Sequence, residues 1–448
     1  MPLKRNPLAI KSITLEKLFG VYTYKMPVGR TNDFSRLLIL YGDNGSGKTT
    51  ILQLLFWILS TKDKSGYKSN MARTKFKKFI IGFENGIEIG ATRSRSEIIG
   101  GFKYYVKLRN QKAMVVDLKA DNDNSISLKD GTKENEAFKA ILSKIKELNI
   151  SVFYLSDDRR VLDSTTSSEH DRPKPTNYIL ENEVISSNFF EEIAVAESPS
   201  RSQMTIEPTI SRLIDWIRTK TISGSKTGEK NSQVIYTDLI KNLYKSEKSG
   251  QPLKTIDGIL TETRNIEKNI TQFVSLGLID AFDSKTILET IKSAKSVELR
   301  KYLVTMITPY LDSINAKLKA LEKLKDTLIF FIGSVNQYFT NKILSFNLSS
   351  GFILTQIGGE TISFNSLSSG EKQLLLLFIH TITATDQATI FIIDEPEISL
   401  NIKWQRKLIN TLTRFSNDKN IQYILATHSI ELLSTNLDQV FKLENANG

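Results

Sequence analysis

The sequence predicts an α/β fold: a parallel sheet that carries a P-loop, an antiparallel β lobe beside it, and an inserted α-helical or coiled-coil arm. Three observations lead there. A strand-like apolar run enters a glycine-rich turn and an amphipathic helix over 37–59, LLILYGDNGSGKTTILQLLFWIL. Two further near-continuous apolar runs, Ala388 to Asp394 and Asn420 to Ala426, alternate with helical segments, as strands covered on both faces do. Between these ends lie hairpin signals and then a long stretch of helical periodicity.

Taken in order, Ile10 to Tyr24 alternates loosely and predicts one or two strands. After the P-loop helix, Phe76 to Phe83 and Ile87 to Thr92 flank an Asn85-Gly86 pair, a strong hairpin signal. Tyr104 to Leu108 and Ala113 to Leu118 read as further strands, and Glu134 to Leu148 as a helix. Ser151 to Leu155 is a short β-rich run. Residues 157–208 are rich in Ser, Thr, Glu and Pro with sparse apolar anchors, and read as a polar loop or partly disordered insert. Arg212 to Lys220, Val234 to Lys245, Ile256 to Leu276 and Pro309 to Lys342 read as helices, the last with proline in its first turn. A coiled-coil arm and an ordinary bundle both fit. Phe346 to Phe364 suggests two or three short strands. The expected domains are therefore 1–156, the polar segment 157–208, the helical arm 209–344, and 345–448, which returns to the α/β layer.

The 448 residues are 40% hydrophobic and 24% charged, the balance of an ordinary globular protein. No apolar run is long enough to cross a bilayer, no signal-peptide core is present, and cysteine is absent, so a cytoplasmic chain without membrane contact is expected. The net charge is +11. Between Lys62 and Lys112 thirteen Lys or Arg face four acids, a net +9 that suits DNA phosphates or an acidic partner, and equally a solvated basic face.

Four motifs carry chemistry. Gly42, Asp43, Asn44, Gly45, Ser46, Gly47, Lys48 and Thr49 form G-x-x-x-x-G-K-T. Its glycines let successive N–H groups point inward at phosphates, Lys48 reaches the β/γ-phosphates, and the Thr49 hydroxyl sits on Mg²⁺. Asp394 ends an apolar strand, where it can hold the metal shell through water; Glu395 beside it can orient and deprotonate the attacking water. Ser368, Ser369, Gly370 and Glu371 open a helix, either as a second phosphate-binding N-terminus or simply as an N-cap. His428 follows a buried strand, a place where histidine is usually structural.

In order and context the four resemble the ATP-binding-cassette (ABC) ATPases, over roughly Ile10 to Leu59 and Phe346 to Phe441. That resemblance implies ATP and Mg²⁺ as ligands, a Walker A from Gly42 to Thr50, and a signature from Leu367 to Glu371. It implies a Walker B at Asp394 with Glu395 as catalytic base, His428 as switch histidine, and a D-loop at Ser399-Leu400-Asn401, where related chains often carry His in place of Asn401. It also implies a homodimer, or a larger oligomer of dimers, in which Ser368 of one copy closes on ATP held by the other. No convincing Q-loop glutamine is present; Gln53 lies within the P-loop helix, and Asp157-Arg159-Arg160 is a weak candidate for a coupling turn. Gly370 lies 323 residues after Gly47, far more than in transporter subunits. That spacing, with Asp-Glu-Pro-Glu-Ile-Ser-Leu from Asp394, resembles the RecF/SMC/OLD branch of AAA-family ATPases, and within it the ATPases of anti-phage systems such as PARIS and Septu. Those work with a separate nuclease effector. With three histidines and no cysteine the sequence shows no nuclease metal cluster, so a partner is expected to do any cutting. A RecF-like DNA-repair ATPase is the alternative expectation; a soluble transporter energiser is a third, weaker one.

Overall fold

The computed structural model describes residues 7–27, 36–63, 65–94, 96–157, 161–164, 179–180, 183–184, 206–226, 237, 254–384, 389–415, 421–434 and 436–443. The chain divides into two units, Met1–Ser200 with Ser369–Gly448, and Arg201–Ser368. Residues 345–368, grouped by sequence with the α/β layer, cluster with the second unit.

In the first unit β1 (Ile10–Leu18) and β2 (Tyr22–Pro27) form an antiparallel hairpin. β3 (Leu37–Tyr41) leads into α1 (Lys48–Leu59), followed by α2 (Tyr67–Arg73). Then come β4 (Lys78–Phe83), β5 (Glu88–Thr92), β6 (Phe102–Lys107) and β7 (Met114–Leu118). The expected Asn-Gly turn joins β4 to β5, with Gly86 at φ +81°. These strands make one antiparallel sheet, β2-β1-β4-β5-β6-β7. Its inner face is apolar by strict alternation, Phe79, Ile81 and Phe83 on β4 and Phe102, Tyr104 and Val106 on β6. α3 (Lys133–Glu147) is capped by the Thr132 hydroxyl, which accepts from the Asn135 N–H. β8 (Val152–Leu155), β9 (Val161–Asp163) and a two-residue ladder, β10 (Ile179–Leu180) with β11 (Glu183–Val184), follow.

In the second unit α4 spans 207–226. α5 (Ile256–Ser275), α6 (Ser284–Ser293) and α7 (Val297–Tyr338) start on the side-chain caps Thr255, Asp283 and Ser296. α5 packs along α7, burying Ile259, Ile266, Ile270 and Phe273. The expectation that a helix begins at Pro309 is corrected: α7 begins at Val297, and Pro309 lies buried inside it. Proline removes the N–H that would pair with the Thr305 carbonyl. Around it the Thr305 hydroxyl donates to Lys301 O (2.9 Å) and the Thr308 hydroxyl to Val304 O (2.7 Å). β12 (Lys342–Asn347), β13 (Gly351–Gln356) and β14 (Thr361–Ile362) form a small antiparallel sheet. Apart from position 237, the candidate helix Val234 to Lys245 lies outside the described residues, as does most of 157–208.

The chain then returns to the first unit through α8 (Ser369–Ala384), β15 (Ile390–Asp394), α9 (Ile402–Phe415), β16 (Gln422–Thr427), α10 (Ile430–Leu433) and β17 (Val440–Lys442). The second sheet runs β17-β3-β16-β15-β8-β9, parallel except for β9. Every residue of β8, β15 and β16 is buried. α1 packs on β8, β15 and β16 and also on β5, and its buried residues lie nearly all around it, as a helix filling the space between two sheets requires. The Gln422 amide accepts from Ile10 N–H (2.7 Å) and donates to Ile10 O (3.0 Å), tying the sheets together. No described helix is long and apolar enough to cross a membrane.

Two cations of the basic segment point inward. Lys68 donates to Trp57 O (2.5 Å), Ile58 O (3.1 Å) and Ser60 O (3.5 Å), the carbonyl end of the P-loop helix, and stands 4.6 Å from the Tyr104 ring centre. Arg93 donates to the carbonyls of Met71, Ala72, Thr74, Phe76, Ile98 and Gly100. On the lobe's outer face Lys78 pairs with Glu16 at 3.8 Å, while Lys107 stands opposite Glu88 and Lys103 opposite Asp117 in register.

Burial pulls Lys68 down from 10.5 to about 7. Between those values the unfolded chain binds a proton that the folded one does not, so stability rises with pH across that window. Urea unfolding of the wild type from pH 7 to pH 9 should show this rise, and Lys68→Met should be less stable and lack it; equal pH slopes would contradict the assignment.

Candidate active site

The order of the parallel sheet decides where chemistry gathers. β16 lies between β3 and β15, with Thr427 opposite Tyr41 and Ala426 opposite Asp394. One step past each strand therefore come Gly42, His428 and Glu395, at the carboxyl edge where open α/β sheets collect ligands.

The turn after β3 is built for close approach. Gly45 and Gly47 adopt φ +86° and +87°. A Cβ on Gly47 would meet Leu18 Cδ2 at 2.5 Å, and one on Gly42 would meet Ser46 Oγ at 2.9 Å. α1 has neither a side-chain cap nor an acid in its first turn, which leaves its N-terminal N–H groups for an anion. Lys48 is buried and donates to Gly42 O (2.9 Å) and Asp43 O (3.2 Å). Asp43, Asn44 and Ser46 complete the loop, with Ser46 N–H bonded to Asp43 O (3.2 Å). Thr49 and Thr50 lie in the first turn of α1.

Asp394 is fully buried. The Tyr154 hydroxyl donates to its Oδ2 (3.3 Å), and the Thr49 side chain also hydrogen-bonds to it. Its Oδ1 is buried without a hydrogen-bond partner among the described residues. Burial pushes its pKa up to about 6, against the hydrogen bond from Thr49. A buried carboxylate with a spare oxygen beside a threonine hydroxyl fits an oxygen-liking divalent cation such as Mg²⁺.

Glu395 sits in the left-handed region, φ +43°, with its N–H bonded to Ala426 O (2.9 Å). That turn aims one carboxylate oxygen at Lys48 Nζ (3.7 Å) and the other at His428 Nδ1 (2.8 Å). Sequence alone had given His428 no partner; the fold places it on Glu395. Glu397 enters from the same turn, 4% exposed, and its Oε1 accepts from the Thr427 hydroxyl and from the His428 N–H (3.1 Å). Burial pushes Glu397 up to about 7, and the adjoining Glu395 carboxyl adds to the rise. Polar atoms of Glu395, Glu397 and His428 lie within 4.8 Å of one another, and hydrogen bonds within the group account for the closeness.

Of the signature residues, Ser369, Gly370 and Glu371 open α8, and Glu371 is buried. A Cβ on Gly370 would lie 2.4 Å from Ser399 O, so glycine is what lets α8 approach the turn after β15. Ser399 has φ +63°, and Asn401 Oδ1 accepts from Trp404 N–H (3.0 Å), which makes it the cap of α9. Leu367 and Ser368 fall in the second unit. Gln53 lies inside α1, and of the weak coupling turn Arg159 and Arg160 lie outside the described residues.

Sequence reading passed over four residues. Glu397 was visible as the second acid of Asp-Glu-Pro-Glu. Tyr154 carried no local signal; neither did Tyr24, whose hydroxyl holds Ser46 O (2.9 Å) and whose pKa burial pushes up to about 12. Phe19, 43% exposed at the β1–β2 turn, lies against Gly47. Gly47→Ala would combine a left-handed backbone with the Leu18 clash, costing roughly 1–3 kcal/mol of stability. A fall in urea midpoint together with loss of nucleotide binding in equilibrium dialysis is expected; a wild-type midpoint would contradict it.

Over 80 residues the chain is 35% identical to the molybdenum import ATP-binding protein ModC of Escherichia coli (strain K12), a match that covers 18% of this chain and 22% of that one. The same figures hold for ModC of Shigella flexneri. The chain thus spans about a fifth of the length of the curated relatives it matches. Among solved structures, the Smc head domain with an extended coiled coil, bound to the C-terminal domain of ScpA and derived from Pyrococcus furiosus, aligns over 97% of this chain and 94% of that one. Its 11% identity and TM-score of 0.35 make that likeness too loose to weigh. The family profile described as "AAA domain, putative AbiEii toxin, Type IV TA system" matches residues 37–434, nearly the whole chain, and the protein belongs to that AAA-family group of ATPases.

Proposed function

We propose that the protein binds ATP with Mg²⁺, hydrolyses it, and uses the cycle as the sensor or scaffold subunit of an anti-phage defence system of the PARIS or Septu kind. The single observation that supports this most is the convergence of Lys48, Glu395 and His428 on one sheet edge. Thr49 and Asp394 would hold Mg²⁺, which neutralises charge on the phosphate oxygens. Lys48 exchanges its carbonyl partners for the β/γ-phosphates. Glu395 takes the proton of the water that attacks the γ-phosphorus, and His428 holds Glu395 in orientation. In this reading two copies or more pair head to tail in the cytoplasm. Ser368, with the N–H groups of Ser369 and Gly370, reaches the nucleotide of the mate, and the paired state controls a separate nuclease.

A RecF-like ATPase acting on duplex DNA draws on the same site and on the basic segment. It has less support: Lys68 and Arg93 are spent on carbonyls, and Lys78, Lys103 and Lys107 on the lobe's outer face stand opposite acids. Mass photometry with ATP should show Glu395→Gln accumulating as a dimer or larger, and Lys48→Ala staying at the mass found without nucleotide. An unchanged mass for Glu395→Gln would sink the pairing. Tight DNA binding at about 50 mM salt that collapses by about 200 mM would favour the alternative.

A further inference from the structure

Glu397 adjoins both Glu395 and His428 but has so far been given no part in the reaction. It follows Pro396 in a turn closed by Ile398 N–H to Glu395 O (3.2 Å) and Leu400 N–H to Glu397 O (2.9 Å). That turn folds the side chain back across the sheet edge to the end of the neighbouring strand. There one oxygen, Oε1, takes the Thr427 hydroxyl and the His428 N–H, and lies 3.5 Å from His428 Nδ1.

The consequences run outward from that oxygen. Because the Thr427 hydroxyl donates to Glu397, its own oxygen is left to accept the Ser429 N–H (2.9 Å). Ser429 in turn donates to Gln405 Oε1 on α9 (2.6 Å). The backbone on both sides of His428 is thus fixed from one buried carboxyl. The imidazole itself is 55% exposed, so packing does little to hold it. Its direction comes from its backbone and from Glu395 Oε2 at 2.8 Å.

We infer that Glu397 is a positioning residue: it joins the ends of β15 and β16 so that His428 meets Glu395 in one fixed geometry. The inference rests on the ATP-hydrolysis reading; Glu397 also hydrogen-bonds to the Glu395 side chain, and the cycle below isolates the part of its effect that runs through His428. A residue with a merely structural role would lower stability and rate together, with no dependence on whether His428 is present. A residue acting through His428 gives non-additive effects.

The test is a double-mutant cycle in steady-state ATP turnover, with Glu397→Ala, His428→Ala and both together, and with Glu397→Gln as the conservative variant. Glu397→Ala should lower kcat by about tenfold with KM within about threefold, and the double variant should be no slower than the slower single one. Glu397→Gln, whose amide oxygen still accepts, should recover most of the loss. Thr427→Val removes a donor at nearly constant volume and should move the rate in the same direction, which keeps the test open should Glu397→Ala fold poorly. Multiplicative losses, or a normal Glu397→Ala, overturn the proposal.

A second readout separates this from failure of the ATPase reading. The chain has three histidines, so His428→Ala assigns the His428 ring signals in a ¹H–¹⁵N spectrum. The ring nitrogens should shift in Glu397→Ala and stay near wild type in Glu397→Gln, whether or not ATP is hydrolysed. Rings unmoved in Glu397→Ala refute the positioning role; a wild type without turnover but with the shift refutes only the ATPase reading.

Discussion

The parallel pairing of β16 with β3 on one side and β15 on the other is the constraint on which the rest depends. Hydrogen bonds between those three strands fix Tyr41, Thr427 and Asp394 within a step of one another. Their side chains are buried on both faces, so a slip of register would exchange the side chains packed on each face, which a close-packed interior does not accommodate. The chemical groups then sit at the strand ends, in the turns just past them and in the first turn of α1. Glycine supplies the turn after β3. After β15 a non-glycine residue, Glu395, takes a left-handed conformation at a cost on the order of 1 kcal/mol, and the hydrogen bonds of that turn hold it there.

Around this edge the charged groups restrain one another. Lys48 is held between two loop carbonyls and Glu395, and Glu395 between Lys48 and His428. Behind the loop, Lys68 and the Tyr104 hydroxyl (2.7 Å to Ile58 O) clasp the far end of α1. The P-loop helix is therefore fixed at both ends by polar contacts and along its length by two sheets. Such a helix transmits displacement as a body, because close-packed interiors deform little.

The fold and the heart of the site were legible in the sequence where the signal was local. A P-loop is a spacing of glycines, and an Asn-Gly hairpin is a dipeptide between apolar runs. A buried parallel strand is an apolar run with an acid at its end. Where meaning depended on the third dimension, legibility stopped. Pro309 read as a helix start because proline favours first turns; only the Ser296 cap and the threonines around Pro309 show why the helix begins earlier. Lys68 and Arg93 counted as surface charge because a sequence cannot show which helix end a cation will meet. His428 looked unremarkable until strand order set it beside Glu395. Glu397 was hidden behind Glu395, two places away in sequence but turned toward another strand.

The proposed role of Glu395 at this edge is to remove the proton from water. Single-turnover hydrolysis of γ-³²P-labelled ATP, with enzyme in excess, reads that step directly. The wild type should release labelled phosphate while Glu395→Gln binds the label and keeps it as intact ATP, slower by about a hundredfold or more. Release by Glu395→Gln at the wild-type rate would contradict it.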